Sequence, residues 1–213
     1  MDGVALRGAD SSRDLGVVVD SNLKWHDHIQ SIVGKAGGLM SSLLRTTVCR
    51  SSEFMTALYV ANIRPLLDFS STVWNVGYLM DARRLESVQR RWTREVEGLR
   101  GLEYAERLRR LNLYSIHGRL LRADLVKVWK IFNTQLDGRM VDLFEVAREQ
   151  RTRGHRFKLS VPVCRSEVRR RSFGVRVVGP WNALPDAVVE ANSLDSFKSR
   201  LDSHMGESFY RVV

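Results

Sequence analysis

LESVQRRWTREVEGL, residues 85–99, decides how this chain is read. At 3.6 residues per turn Leu85, Val88, Trp92, Val96 and Leu99 fall on one stripe, which predicts a helix that buries its tryptophan and turns its arginines outward. Arg83, Arg90 and Arg94 then share one side and Arg84 and Arg91 the next, with Glu86, Glu95 and Glu97 too few to neutralise them. Two readings of that face stand: a solvated surface laced with Glu/Arg pairs, each worth about 0.2–0.5 kcal/mol, or a surface that meets an anionic partner.

The rest of the chain bounds the choice. Its 213 residues are 44% hydrophobic and 27% charged, enough apolar material for a core in one large or two small domains. No apolar run approaches the length of about 18 that spans a bilayer, and the opening MDGVALRGADSSRD has no secretory apolar region. A soluble, intracellular protein with no membrane partner is expected. Cys49 and Cys164 form no CxxC pair and have no histidine at zinc-finger spacing, so two buried free thiols are expected. His26 and His28 lie two apart and do not share a helix face, which argues against a metal site there. The net charge of +10 is uneven: 0 over residues 1–80, +12 over 81–180 and −2 over 181–213. Of 34 cations 28 are arginine, whose planar fork suits phosphate and base stacking, although an arginine-rich codon bias would give the same count.

Along the chain, DLGVVVD (14–20) reads as a buried strand, with VALR (4–7) as a partner for a small hairpin. Trp25, Ile29, Ile32, Val33, Ala36, Leu39, Met40, Leu43 and Leu44 describe a long helix whose Gly34, Gly37 and Gly38 point to close packing or a bend. Ser51 or Ser52 can cap a next helix with Phe54, Leu58 and Ala61 on its face, disrupted at Pro65. LLDFSSTVWN continues the apolar pattern, Asp81 caps the helix of the opening stretch, and EYAERLRRL forms a short one. Residues 114–132 build a second long helix through Ile116, Leu120, Leu121, Leu125, Val128 and Phe132. Residues 151–176 hold nine cations and one acid, and FKLSVPV alternates as a strand does. That segment reads as a basic hairpin or extended arm, either a solvated loop or a phosphate-binding element. After a Gly-Pro-Trp-Asn turn, Ser193 caps a terminal helix with Leu194, Phe197 and Leu201 inward. Trp25, Trp74, Trp92, Trp129 and Trp181 are expected in cores with their indole N–H groups bonded, Trp181 being the most open to solvent.

The order of these pieces resembles the segment downstream of the catalytic palm in reverse transcriptases of non-LTR, LINE-type retrotransposons of the jockey-like kind. The resemblance rests on DLGVVVDSNLKWHDHI (14–29), IRPLLDFSSTVWN (63–75), RLESVQRRWTREVEGLR (84–100), YAERLRRLNLYSIHGRLLRADLVKVWKI (104–131), RGHRFKL (153–159) and GPWNALPDAVVEANSLDSFKSRL (179–201). It implies a palm-end β-hairpin remnant over residues 1–21, a helical thumb-like domain over 22–135 and a basic C-terminal region with a terminal helix over 136–213. The fold expected is mainly α, a thumb-like helical bundle with a short N-terminal β-hairpin and a basic C-terminal hairpin or arm. The thumb of such an enzyme closes over template and growing strand.

The family's Tyr/Phe-x-Asp-Asp motif, which holds divalent metal for phosphoryl transfer, does not occur here, and no two aspartates are adjacent. No GxxxxGK cradle or Gly-x-Ser-x-Gly elbow is present either. The chain is therefore expected to have no catalytic or metal-binding residue and no cofactor, the family's magnesium belonging to the palm, and not to polymerise DNA unaided. The expected activity is electrostatic binding of RNA or RNA/DNA duplex through Arg90, Arg91 and Arg94 on the helix and Arg153, Arg156, Lys158, Arg169, Arg170 and Arg171 on the arm. A palm-containing reverse transcriptase acting in trans is a further expected partner. The alternative is a helical interaction module, structural remnant or decayed transposon copy with no nucleic-acid role, its hairpin edge open to association.

Overall fold

The computed structural model describes residues 9–75, 77–134, 143–147 and 155–212, and the fold is mainly α-helical with one short N-terminal β-hairpin. The hairpin pairs β1 (Ser11–Asp14) with β2 (Val17–Asp20) in antiparallel register, Ser11 opposite Asp20 and Asp14 opposite Val17. Leu15 and Gly16 have φ of 43° and 90°, the left-handed pair that a two-residue turn requires for the twist of its strands. The strand expected over 14–20 is thus split by that turn, and its partner is SSRD; residues 4–7 lie outside the described residues. Val17 enters the core.

Asp20 directs the chain into the first helix. Its carboxylate accepts the backbone N–H groups of Asn22 (3.0 Å), Lys24 (3.1 Å) and Trp25 (2.7 Å), while Trp25 takes a left-handed φ of 66°. Helix α1 (His26–Thr46) follows, burying Ile29, Ile32, Ala36 and Met40. A Cβ added at Gly34, Gly37 or Gly38 would meet nothing within 4 Å, so these glycines do not serve close packing.

Helix α2 (Ser52–Leu58) continues through a π-helical turn (Tyr59–Ile63) into α3 (Arg64–Asp68). Met55, Tyr59, Ile63 and Leu67 face inward, rather than the expected Phe54, Leu58 and Ala61: Phe54 is 43% exposed, Leu58 half-buried and Ala61 exposed. Within α2 it is Met55 that fills the core in place of Phe54, and from Tyr59 on the widened π turn shifts the face past Ala61 to Ile63 and Leu67. That turn keeps a four-residue spacing on one face and absorbs the missing N–H of Pro65, so the chain stays helical to Asp68.

After α4 (Ser71–Trp74), helix α5 (Leu79–Arg94) carries the opening stretch. Leu85, Val88 and Trp92 are buried as expected, but the helix ends at Arg94; Val96 and Leu99 reach the core from a turn in which Gly98 takes φ 73°. Asp81 is not the cap. It lies in the first turn, 2% exposed, held by His26 and by Arg84 at 3.4 Å. Helix α6 (Tyr104–Arg110) leads to α7 (Ile116–Asn133), whose cap Ser115 accepts the Gly118 N–H at 3.0 Å.

Beyond α7, Ala147 N–H donates to Lys158 C=O and Ser160 N–H to Glu145 C=O, a short antiparallel contact between 145–147 and 158–160. Helices α8 (Glu167–Arg171), α9 (Phe173–Arg176), α10 (Val178–Asn182), α11 (Asp186–Val189) and α12 (Leu194–Met205) follow, then a 3-10 turn (Gly206–Tyr210). Ser193 caps α12 as expected, accepting from Ser196 N–H at 3.1 Å, and Phe197 and Leu201 are fully buried. Two apolar clusters result. One gathers Val17 through Leu120; the other gathers Leu125 through Phe209, so α7 supplies its first half to one and its second half to the other. The boundary expected between residues 135 and 136 lies outside the described residues.

All five tryptophans are buried as expected, and Trp181, the one expected to be the most open, is only 1% exposed. Its indole N–H donates to Phe157 C=O at 2.9 Å, and Asn182 exchanges two 2.8 Å bonds with the Leu159 backbone, so this turn pins the strand beside it. Trp74 and Trp92 donate to the carbonyls of Phe69 and Met55, but Trp129 Nε1 has no hydrogen-bond partner among the described residues, and its ring stacks on Phe197. Neither cysteine is buried: Cys49 is exposed in the link between α1 and α2, and Cys164 is half-exposed. Among the described residues no helix is long and apolar enough to cross a membrane.

Candidate nucleic-acid interface

The geometry of the candidate interface begins underneath α5. Apolar periodicity leaves Glu86, Gln89 and Thr93 to the solvent side, yet all three are buried. Tyr59 Oη donates to Gln89 Oε1 at 2.6 Å; Gln89 Nε2 donates to Tyr104 Oη at 3.1 Å and to Tyr114 C=O at 2.9 Å. Tyr104 Oη in turn donates to Glu86, whose other carboxylate oxygen accepts the Ile116 N–H at 2.9 Å. Burial holds the Glu86 carboxyl above the usual carboxylate range against these bonds, and burial first, then the Glu86 charge, raises the Tyr104 phenol. The network fixes α5 on α6 and α7 and consumes the acid that would otherwise face the arginines.

Above it, Arg83, Arg90, Arg91 and Arg94 are exposed. None of them takes part in an ion pair among the described residues, because Asp81 and Glu86 point inward and Asp81 is taken by His26 and Arg84. The Glu/Arg lacing of the solvated-face reading is therefore missing on these four. Arg90 also lies over the Tyr104 ring, 4.7 Å from its centroid, a contact worth about 0.5–1 kcal/mol at an exposed site.

Arg107, which periodicity did not single out, strengthens the same face. It is 2% exposed, its Nη1 donates to Arg90 C=O at 3.0 Å, its Nε has no hydrogen-bond partner among the described residues, and its guanidinium lies 5.2 Å from the Tyr104 ring centroid. Burial first, then the charges of Arg94 and Arg90, lower its pKa. The available signal was its place in YAERLRR, one turn before Leu111 and beside Leu108, where an arginine falls on the inward face. Past the end of α5 a cleft of about 630 Å³ brings Arg94 together with Arg50 and Arg100.

The arm residues are held differently. Arg153 lies outside the described residues. Arg156 is exposed, paired with Glu190 at 3.2 Å and lying over Phe157; Lys158 is half-buried. Arg169, Arg170 and Arg171 stand on α8, with Arg170 and Arg171 both paired to Glu167, at 2.8 and 2.7 Å, and Arg169 exposed. Arg171 Nη1 also donates to Gly77 C=O at 3.1 Å, and its guanidinium covers Tyr78 at 4.4 Å. The structure thus docks α8 at the start of α5, whereas Arg90, Arg91 and Arg94 sit on the last turns, about 20 Å along the axis at 1.5 Å per residue.

Among the described residues no group of three or more His, Cys, Asp or Glu stands where it could hold a metal ion. Fold and site together define a mainly α-helical protein with one uncompensated arginine face. No family model, curated protein or solved structure matches the chain.

Proposed function

We propose that the chain binds the phosphate backbone of RNA or RNA/DNA duplex through the exposed face of α5, as the thumb-like part of a non-LTR retrotransposon reverse transcriptase. One observation carries the reading: the helix turns its own acids inward and leaves Arg83, Arg90, Arg91 and Arg94 without ion pairs among the described residues. From Arg83 to Arg94 the face runs about 16 Å, an axial length over which one strand of a duplex presents about five phosphates. Arg169 extends the basic surface at the other end of the helix, while Arg170 and Arg171 are engaged with Glu167 and contribute less. Such contacts position a duplex without reading its sequence.

The test is the affinity for a labelled RNA/DNA hybrid across a salt series. With about six phosphates engaged, affinity falls about a thousandfold between 50 and 200 mM salt, and each lost contact removes about 0.9 from the logarithmic slope. Replacing Arg90, Arg91 and Arg94 by alanine is expected to flatten the slope by about 2.7; replacing Arg169, Arg170 and Arg171 removes less. A flat response in the parent chain, or no binding at low salt, overturns the reading and leaves a helical module whose arginines are only solvated.

A further inference from the structure

Helix α7 carries a second basic feature built from different residues. Arg119, Arg122, Lys127 and Lys130, with Thr72 of α4, line a cleft of about 290 Å³ floored in part by Val126. Arg119 and Arg122 are one turn apart and therefore adjacent on one helix face. Each is held from another element: Arg119 Nε donates to Asp68 of α3 at 3.1 Å and its Nη2 to the same carboxylate. Arg122 Nε and Nη2 donate to the two oxygens of Asp202 on α12 at 2.6 and 2.8 Å. Both forks spend Nε and Nη2 in this way and leave Nη1, with two N–H groups, without a hydrogen-bond partner among the described residues.

Arg64 of α3 stands close by, half-buried and in no ion pair among the described residues. Burial, and next the Arg119 charge, press its pKa downward, with Arg122 acting in the same direction. The two carboxylates of Asp68 and Asp202 thus face three guanidiniums before Lys130 is counted.

We infer that this cleft is a phosphate-binding site, in which the Nη1 groups of Arg119 and Arg122 donate to separate oxygens of one phosphate and Lys130 supplies a further charge. Two donors from different guanidiniums are not confined to one plane as the two of a single fork are, which suits a tetrahedral oxyanion better than the planar carboxylates already bound edge-on by Nε and Nη2. Because Asp68 and Asp202 hold the forks in place before any ligand arrives, little side-chain freedom is lost on binding. The volume lies near the lower limit of small-molecule sites, so the ligand is a nucleotide-sized or smaller phosphate compound, or a single phosphate of a nucleic-acid strand. The inference uses none of the α5 arginines and stands or falls apart from them.

Calorimetric titration of the full chain with inorganic pyrophosphate tests it, beside Lys130→Glu, Arg122→Lys and the triple alanine variant at Arg90, Arg91 and Arg94. Lys130 is exposed and ties no elements together, so its variant keeps the fold. Pyrophosphate is expected to bind the parent and the triple variant alike, and at least about tenfold more weakly in Lys130→Glu and Arg122→Lys, a tenfold change being about 1.4 kcal/mol. No heat of binding at low salt, equal affinity in Lys130→Glu, or loss confined to the triple variant overturns it. Competition between pyrophosphate and a 5′-phosphorylated RNA oligonucleotide then assigns the source of the phosphate: displacement means a strand, and independence means a free nucleotide.

Discussion

Gly118, in mid-chain on α7, is the residue at which the C-terminal tail is locked onto the helices. An added Cβ there would lie 2.3 Å from the Phe209 carbonyl oxygen and 2.8 Å from its Cα, backbone that cannot swing aside. The closeness lets Ser115 donate from its backbone N–H (2.9 Å) and its hydroxyl (3.0 Å) to Phe209 C=O, and bond Arg211 C=O at 2.7 Å. Gly118→Ala gains helix propensity and is nonetheless expected to destabilise the fold by about 1–3 kcal/mol, the usual cost of overpacking, with faster amide exchange in the tail from 206 on. Asp20 makes a complementary case. Burial pushes its carboxyl upward, but the bonds from Trp25, Lys24 and Asn22 prevail and hold its pKa below 3.8. Its contribution is therefore fully present above pH 3.8 and lost as pH falls through the lowered folded value. Asp20→Ala should cost about 1–2 kcal/mol, as loss of a helix-entry cap does, and Asp20→Asn should flatten the acid limb of a pH-stability curve.

At the scale of elements, what the sequence disclosed was periodic and what it concealed was pairing. The stripe of α5 and the Ser193 cap were legible because each depends on residues within a few positions of one another. Glu86 and Gln89 were not, since an acid and an amide look solvated until Tyr59, Tyr104 and Ile116 arrive from three other elements. The π turn hid the inward face beyond Tyr59, because inserting a wider turn moves every later residue relative to a 3.6 period and so puts Ile63 and Leu67, not Ala61, inside. Likewise the uncompensated state of Arg90 and Arg94, and the engaged state of Arg170 and Arg171, follow from where acids point rather than how many there are. On α1 the reverse holds: of the two readings of its three glycines, close packing or a bend, the first fails because there is open space beside each. Gly34→Ala and Gly38→Ala are both exposed helix-interior changes, and each is expected to stabilise by about 0.4–1 kcal/mol through the unfolded chain's lost freedom. Urea denaturation checks this, and an unchanged or lowered midpoint in the double variant would show a packing role after all.

Over the whole molecule, the two apolar clusters share α7, and a polar tie crosses between them. Arg176 of α9 donates from Nε (2.9 Å) and Nη2 (3.0 Å) to Asp124 on α7, and from Nη2 to Thr72 C=O of α4 at 2.9 Å. The side chains are 15% and 4% exposed, so neither charge has water to fall back on. Burial raises the Asp124 pKa and the Arg176 bonds and charge pull it back, which makes the carboxylate dependent on this partner. Removing either partner alone should cost about 3–5 kcal/mol, whereas replacing both by apolar side chains of similar volume should cost little or even stabilise. The expected cycle is therefore strongly non-additive: Asp124→Leu and Arg176→Met each destabilise, and the double variant recovers most of the loss. Tryptophan signals resolve where the loss falls, since Trp25, Trp74 and Trp92 report on the first cluster and Trp129 and Trp181 on the second. In the parent both sets should melt together; with Arg176→Met the second set should melt at lower urea. Additive single losses, or coincident melting in every variant, would mean that α7 packing alone couples the clusters and the Arg176 tie is dispensable.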